Sequence, residues 1–297
     1  MANERSLGSS RVEFDGAIDM HVHFGPEPLI SRASGVPHAV DPRQAAQEAA
    51  AAGMKAIVLK AHEFPSHLVA QLVSADVPDV HVVGSICCDF PVGGLNPVAV
   101  EAALAAGAGM VWLPTISSAN YADHFGVFGW EGEPGITLLD EDGNLRPVVH
   151  EILDLVHQYG AVLATGHISR AEHFKVMEAY RGRGPIVVTH AMQERPDGPT
   201  LSEQDCLELA AMGASIELTA HSCVGIPATL DRVTWAVQKL PLDSVVLSSD
   251  YGWSTDYPHP APGLRSYLDL LYELGAPTTM LRTMSCTNPG RLLAIDA

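Results

Sequence analysis

Short apolar runs recur along the whole chain, separated by stretches whose apolar residues fall at helical spacing. The runs occupy residues 17–24, 56–62, 80–88, 109–116, 161–167, 186–190, 215–219 and 244–250. Each has the length of a buried strand and not of a helix. The intervening stretches carry helix-start signals. Asp41-Pro42 offers an N-cap followed by a first-turn proline, and Asn96-Pro97 does the same for an alanine-rich segment that runs to Ala106 and is stopped by Gly107. Ser169-Arg170-Ala171-Glu172 is a capping box for a helix through Tyr180. Residues 202–212, 227–240 and 264–274 also show helical periodicity, and a last helix is expected near 279–294.

Eight strands alternating with about as many helices imply parallel βαβ units, arranged as an open doubly wound sheet or a closed barrel. No glycine-rich phosphate loop follows any strand, which weakens a nucleotide-binding doubly wound fold. The polar residues favour closure. His21 and His23 end the first run, Lys60 and His62 the second, His167 the fifth, His190 the sixth and Asp250 the eighth. In a (β/α)8 TIM barrel, groups at the C-terminal strand ends share one mouth. Alternate residues of a strand face the same way, so His21 and His23 can grip one metal ion.

One connection is long. Residues 117–145 hold Tyr121, His124, Phe125, Phe128 and Trp130, then a segment expected to form a small β-hairpin around Asp142-Gly143. Such an insertion after the fourth strand serves as a lid or as a self-packed surface hairpin. Nothing else breaks the rhythm, so residues 1–297 read as a single domain.

Composition narrows the partners. Against 17 basic residues stand 35 acidic ones, a formal net charge of −18. That surface repels phosphate backbones and anionic lipid, so neither nucleic acid nor membrane is an expected partner. Five cysteines without zinc-ribbon spacing read as reduced thiols, and the polar start lacks the apolar core of a signal peptide. The expectation is a cytoplasmic homo-oligomer acting on a small molecule.

At the residues named above, the chain resembles the amidohydrolase superfamily of metal-dependent TIM-barrel hydrolases. The run Ile18-Asp19-Met20-His21-Val22-His23-Phe24-Gly25-Pro26 looks like that family's first strand, and Asn288-Pro289-Gly290-Arg291-Leu292-Leu293 like its closing helix. The resemblance implies metal ligation by His21, His23, His167, His190 and Asp250. It implies a divalent cofactor, zinc by preference, with manganese, iron, cobalt or nickel compatible, in one or two copies. It departs at the fourth strand, Met110-Val111-Trp112-Leu113-Pro114-Thr115-Ile116, which offers no bridging carboxylated lysine or glutamate. Lys60, on the neighbouring second strand, is the candidate substitute: a buried lysine that loses its proton can capture carbon dioxide as a carbamate.

The expected chemistry is a metal-bound hydroxide, formed because a divalent ion lowers the pKa of water from 15.7 toward roughly 7. It attacks an amide, lactam, cyclic imide, lactone or ester, with Asp250 also as general base. A mononuclear decarboxylase, a phosphotriester hydrolase and a noncatalytic barrel are the other readings. His62 and His221 are candidates to bind substrate or stabilise an oxyanion, Arg195 to clamp a carboxylate, and Trp253 to line a pocket. Trp112, Cys87 and Cys88 read better as packing.

Overall fold

The computed structural model describes residues 12–193 and 201–295. Eight strands follow one another in both sequence and space: β1 (Ile18–His23), β2 (Ala56–Lys60), β3 (His81–Cys87), β4 (Ala108–Trp112), β5 (Val162–Ala164), β6 (Ile186–Val188), β7 (Ser215–Thr219) and β8 (Val245–Ser248). Every neighbouring pair is parallel. The barrel closes where β8 meets β1: Asp250 N–H donates to the His21 carbonyl and His23 N–H to that of Tyr251, both at 2.9 Å. The Asp19 carboxylate completes this seam, accepting from His21 N–H at 3.1 Å and Ser249 N–H at 3.0 Å. Burial pushes the Asp19 carboxyl up to about 7 in spite of these bonds.

Alternation along the strands produces two apolar layers. Ile18, Met20, Val58, Met110, Trp112, Val187 and Val246 fill the barrel interior. The opposite faces, including Val22, Ile57, Val111, Leu163, Ile216 and Leu247, pack against the surrounding helices. The helix-start signals act as the sequence predicts. Asp41 accepts from Gln44 N–H at 2.8 Å and Asn96 from Ala99 N–H at 3.3 Å. Ser169 and Ser202 both form capping boxes. The expected closing helix is three pieces in succession, Thr278–Arg282, a π-turn Thr283–Thr287 and Asn288–Leu292.

Two expectations need adjustment. The strands are shorter than the apolar runs. His62, His190 and Asp250 lie two residues past β2, β6 and β8, and His167 three past β5. The chain has left the sheet by then, through left-handed backbone at Gly166 (φ +67°), His190 (φ +27°) and Asp250 (φ +57°). The insertion also divides differently. Of the expected hairpin there is a single antiparallel bridge, Leu139 with Leu145, wrapped round the Asp140 carboxylate. Glu172 anchors this turn by accepting from Leu138 N–H at 2.6 Å and the Thr137 hydroxyl at 2.8 Å. The preceding part, a 3-10 turn Ala119–His124 and a short helix Phe125–Phe128, leans instead over the C-terminal end of the barrel. Among the described residues, no helix is long and apolar enough to cross a membrane.

Candidate metal centre

A cavity of about 250 Å³ opens at the C-terminal strand ends. Its floor is polar: His23, Lys60, His62, His167, His190, His221 and Asp250 all line it. Its roof is apolar and built from three separate segments. Ile30 of the short helix Pro28–Ser34, Ile116 and Phe128 form a cluster of their own, with Trp253 packed against it. Arg32 fastens two of these segments, its Nη2 donating to the Phe128 carbonyl at 3.0 Å.

Beneath the cavity three groups converge. Asp250 Oδ1 lies 3.1 Å from His21 Nε2 and 3.1 Å from His23 Nε2. Lys60 Nζ is 3.1 Å from the same His21 Nε2. The other ring nitrogen of His21, Nδ1, sits 3.2 Å from Glu217 Oε2. That oxygen also accepts from His190 N–H at 3.2 Å. Glu217 Oε2 thus accepts a hydrogen bond from His21 Nδ1–H, which leaves the Nε2 lone pair facing Asp250 and Lys60. His23 Nδ1 is buried without a hydrogen-bond partner.

The same atoms offer a place for a metal ion. Two imidazole nitrogens and a carboxylate oxygen within 4.8 Å of one another are all metal-ligand atoms. Their 3.1 Å separations are close to the edge of a tetrahedron around zinc, about 3.3 Å for ligands at 2.0–2.1 Å. Their protonation also suits a divalent ion. Burial, with Lys60 adding to it, holds both His21 and His23 well below the ordinary histidine range, against the pull of Asp250. Burial alone would raise Asp250, but His21, His23 and His221 outweigh it and keep it well below the usual carboxylate range. Neutral imidazoles beside an ionised carboxylate form the state in which these residues bind metal. The residues present therefore fit the ion.

Because the folded-state pKa of His21 and His23 is lowered, their neutral, ligating form persists as pH falls below 6.5. Two ordinary imidazoles would lose about tenfold in metal affinity between pH 7.5 and 6.0 through proton competition. Zinc affinity here is expected to fall less than about threefold over that interval, measured by competition with a chromophoric chelator. A tenfold loss would show that protons reach these lone pairs freely.

Around the triad lie the other expected residues. The His190 ring stacks with His21 at 6.1 Å between centroids and is tilted against His167 at 4.8 Å. Burial drives His190 down to about 3. His221 Nδ1 is 3.6 Å from Asp250 Oδ2, and its ring meets Trp253 edge-on at 5.1 Å. Arg195 lies outside the described residues. Trp112 is fully buried beneath His21, 4.7 Å between rings, and belongs to the interior packing.

A second group, His62, Cys87 and Asp89, also has metal-ligand spacing. Its chemistry argues against an ion. Both oxygens of Asp89 are already occupied by hydrogen-bond donors, from Thr115, Ser117 and His62. Burial raises the Cys87 thiol well above its ordinary range, so it stays protonated. Asp89 and Glu217 were both visible in the sequence without being singled out. Each is a lone carboxylate in or at the end of an apolar run, Ser215-Ile216-Glu217-Leu218-Thr219 and Cys87-Cys88-Asp89. Glu27 is a third such residue. It accepts backbone N–H groups from His62 and Glu63 and ties the β1 and β2 loops together.

The fold and the convergent strand-end histidines define the class: a (β/α)8 barrel with candidate metal ligands gathered at the C-terminal strand ends. Solved structures with this architecture include the probable dipeptidase PvdM from Pseudomonas aeruginosa (13% identity, TM-score 0.66, 95% of each chain covered). A dipeptidase AC described as a metallo peptidase is similar (14% identity, TM-score 0.62, 95% of this chain and 98% of that one). So is 2,6-dihydroxybenzoate decarboxylase from Rhizobium (12% identity, TM-score 0.61, 95% and 100%). At such identities the likeness establishes the fold. A search of curated proteins finds no match. The model of a family of unknown function, DUF6282, matches residues 16–217, and the chain belongs to that family.

Proposed function

We propose that the protein is a metal-dependent hydrolase of small organic molecules, cleaving an amide, lactam or cyclic imide bond, or a lactone or ester. The observation that carries this reading is the convergence of His21 Nε2, His23 Nε2 and Asp250 Oδ1, all buried at the foot of a cavity. These three residues, with His167 and His190 close by, would hold the ion. Bound there, a divalent metal supplies Lewis acidity that polarises a carbonyl and makes water a stronger acid. Glu217 orients His21 through Nδ1. Asp250, ionised and already within 3.1 Å of both imidazoles, accepts the proton of the attacking water and returns it to the leaving group. The roof of Ile30, Ile116, Phe128 and Trp253 excludes bulk water and packs the apolar part of the substrate. The whole chain acts as one catalytic unit, with the Ala119–Phe128 part of the 117–145 insertion as its lid. At about 250 Å³ the cavity is smaller than the 300–1,000 Å³ typical of drug-sized ligands, which favours a compact substrate.

A second reading is favoured by one specific observation. β4 and the residues after it supply no bridging carboxylate, and a single-metal site suffices for a decarboxylase. Lys60 separates the two. In a two-metal form Lys60 would be carboxylated and help hold both ions; in a one-metal form it would remain an amine beside His21. Metal analysis of the purified protein tests both. Near-stoichiometric zinc, manganese, iron, cobalt or nickel is expected, and at least a hundredfold weaker binding in His21→Ala. Two ions per chain that fall to one in Lys60→Ala, and return on adding acetate, establish the bridge. One ion indifferent to Lys60 removes the bridge and favours the lyase. A folded protein that binds no metal rejects both.

A further inference from the structure

His62 lines the cavity beside the candidate metal group, 5.1 Å from His23 between ring centres. Its Nδ1 lies 2.7 Å from Thr115 Oγ1 and 3.2 Å from Asp89 Oδ2. Asp89 is fully buried. Its Oδ1 accepts from Thr115 N–H at 2.8 Å and Ser117 N–H at 3.0 Å, and its Oδ2 accepts the Thr115 hydroxyl hydrogen. A hydroxyl has one hydrogen, and that of Thr115 is directed at Asp89. Towards His62, Thr115 Oγ1 can therefore only accept. Asp89 Oδ2 can only accept as well. Both contacts require the imidazole hydrogen on Nδ1. In its neutral form the ring so fixed turns a bare Nε2 towards the cavity, and no group among the described residues hydrogen-bonds to it.

We propose that His62 Nε2 is a hydrogen-bond acceptor for a substrate N–H, with Asp89 and Thr115 as the positioning residues that fix this polarity, so that the site takes amides and lactams over the matching esters and lactones. The inference rests on the hydrolase reading and sharpens its substrate class. An amide nitrogen beside the carbonyl brings the hydrogen that Nε2 lacks. An ester oxygen in the same place opposes one lone pair to another in a site largely closed to water. A pocket built to bond a substrate N–H rejects the analogue without it, because its own polar group is left unpaired. The same tautomer makes His62 a poor oxyanion donor, so that role falls elsewhere.

Two measurements test this on the full-length protein loaded with zinc. Long-range proton–nitrogen correlation NMR with 15N-histidine reports which ring nitrogen carries hydrogen, the His62 signal being assigned by its loss in His62→Gln. Hydrogen on Nδ1 is expected in the wild type and in Thr115→Val. In Asp89→Asn the carboxamide can donate to Nδ1 and move the hydrogen to Nε2. Hydrogen on Nε2 in the wild type, or a zinc-induced shift of that nitrogen, overturns the proposal even if the Asp89 variant does not fold. Calorimetry with δ-valerolactam and δ-valerolactone gives the second readout. The lactam is expected to bind about ten- to a hundredfold more tightly, and the gap to close in Asp89→Asn. Zinc-loaded protein that binds the two equally overturns this inference and leaves the hydrolase reading standing. Protein that takes up no zinc overturns that reading, and this inference with it.

Discussion

Asp250→Asn is expected to lower kcat/KM by about 10⁴-fold and to weaken metal binding at least tenfold, with the fold intact. The substitution is informative because of the backbone at this position. Asp250 has φ +57°, and asparagine accepts left-handed backbone nearly as well as aspartate, whereas alanine does not. The carboxamide also keeps the shape of the carboxylate. What changes is charge and basicity. The proposed proton acceptor disappears, which costs about 10²–10⁴-fold by itself, and the two imidazoles held at 3.1 Å lose the anion that complements a divalent ion. Metal content, measured directly, needs no knowledge of the substrate. Unfolding followed by circular dichroism is expected to shift by no more than about 1 kcal/mol, the range of a substitution that leaves packing unchanged. An Asn variant with wild-type metal content and undiminished turnover would show that Asp250 is neither ligand nor base.

Much of this geometry was written in the pattern of apolar runs. Eight runs became eight strands in barrel order, because each apolar run is both long enough to cross the sheet and too short for a helix. The strand-end rule then brought residues as distant as His23 and Asp250 within 3.1 Å. The pattern overshot at the C-terminal ends. Hydropathy does not register where a chain turns left-handed, and it was such turns at Gly166, His190 and Asp250 that lifted the candidate residues off the strands. The supporting carboxylates were illegible for a different reason. Glu217, Asp89 and Asp19 are single charges in apolar surroundings, and hydropathy cannot tell a partnered buried charge from a strand residue facing solvent. Their partners, His21, His62 and Ser249, are 196, 27 and 230 residues away. The roof was hidden likewise. The aromatics of the insertion announced an apolar surface, but only the Arg32–Phe128 bond and the Ile30 contact show which element it covers.

The position least tolerant of change is one that carries no side chain. Gly252 sits two residues past Asp250 with φ +113°, and a Cβ built there would lie 1.9 Å from the His23 carbonyl oxygen and 2.7 Å from its carbon. Neither atom can yield cheaply. They belong to β1 at the barrel seam, where His23 N–H already bonds the Tyr251 carbonyl at 2.9 Å and Ala39 N–H bonds the carbonyl of Gly252 itself at 2.9 Å. Gly252→Ala therefore combines left-handed strain of about 1–2 kcal/mol with a backbone collision, and a total loss above about 4 kcal/mol is expected. For a domain of this size that is a fall in Tm of about 10 °C or more. Gly160→Ala provides the control. Gly160 is also left-handed, at φ +66°, but nothing lies within 4 Å of its Cβ position, so only the backbone strain applies. Equal Tm shifts in the two variants would mean that the seam relaxes around the methyl group. The expected inequality has a second consequence, because the displaced atoms belong to His23. Any Gly252→Ala protein that folds at low temperature should bind zinc more weakly than Gly160→Ala does, although neither substitution alters a ligand.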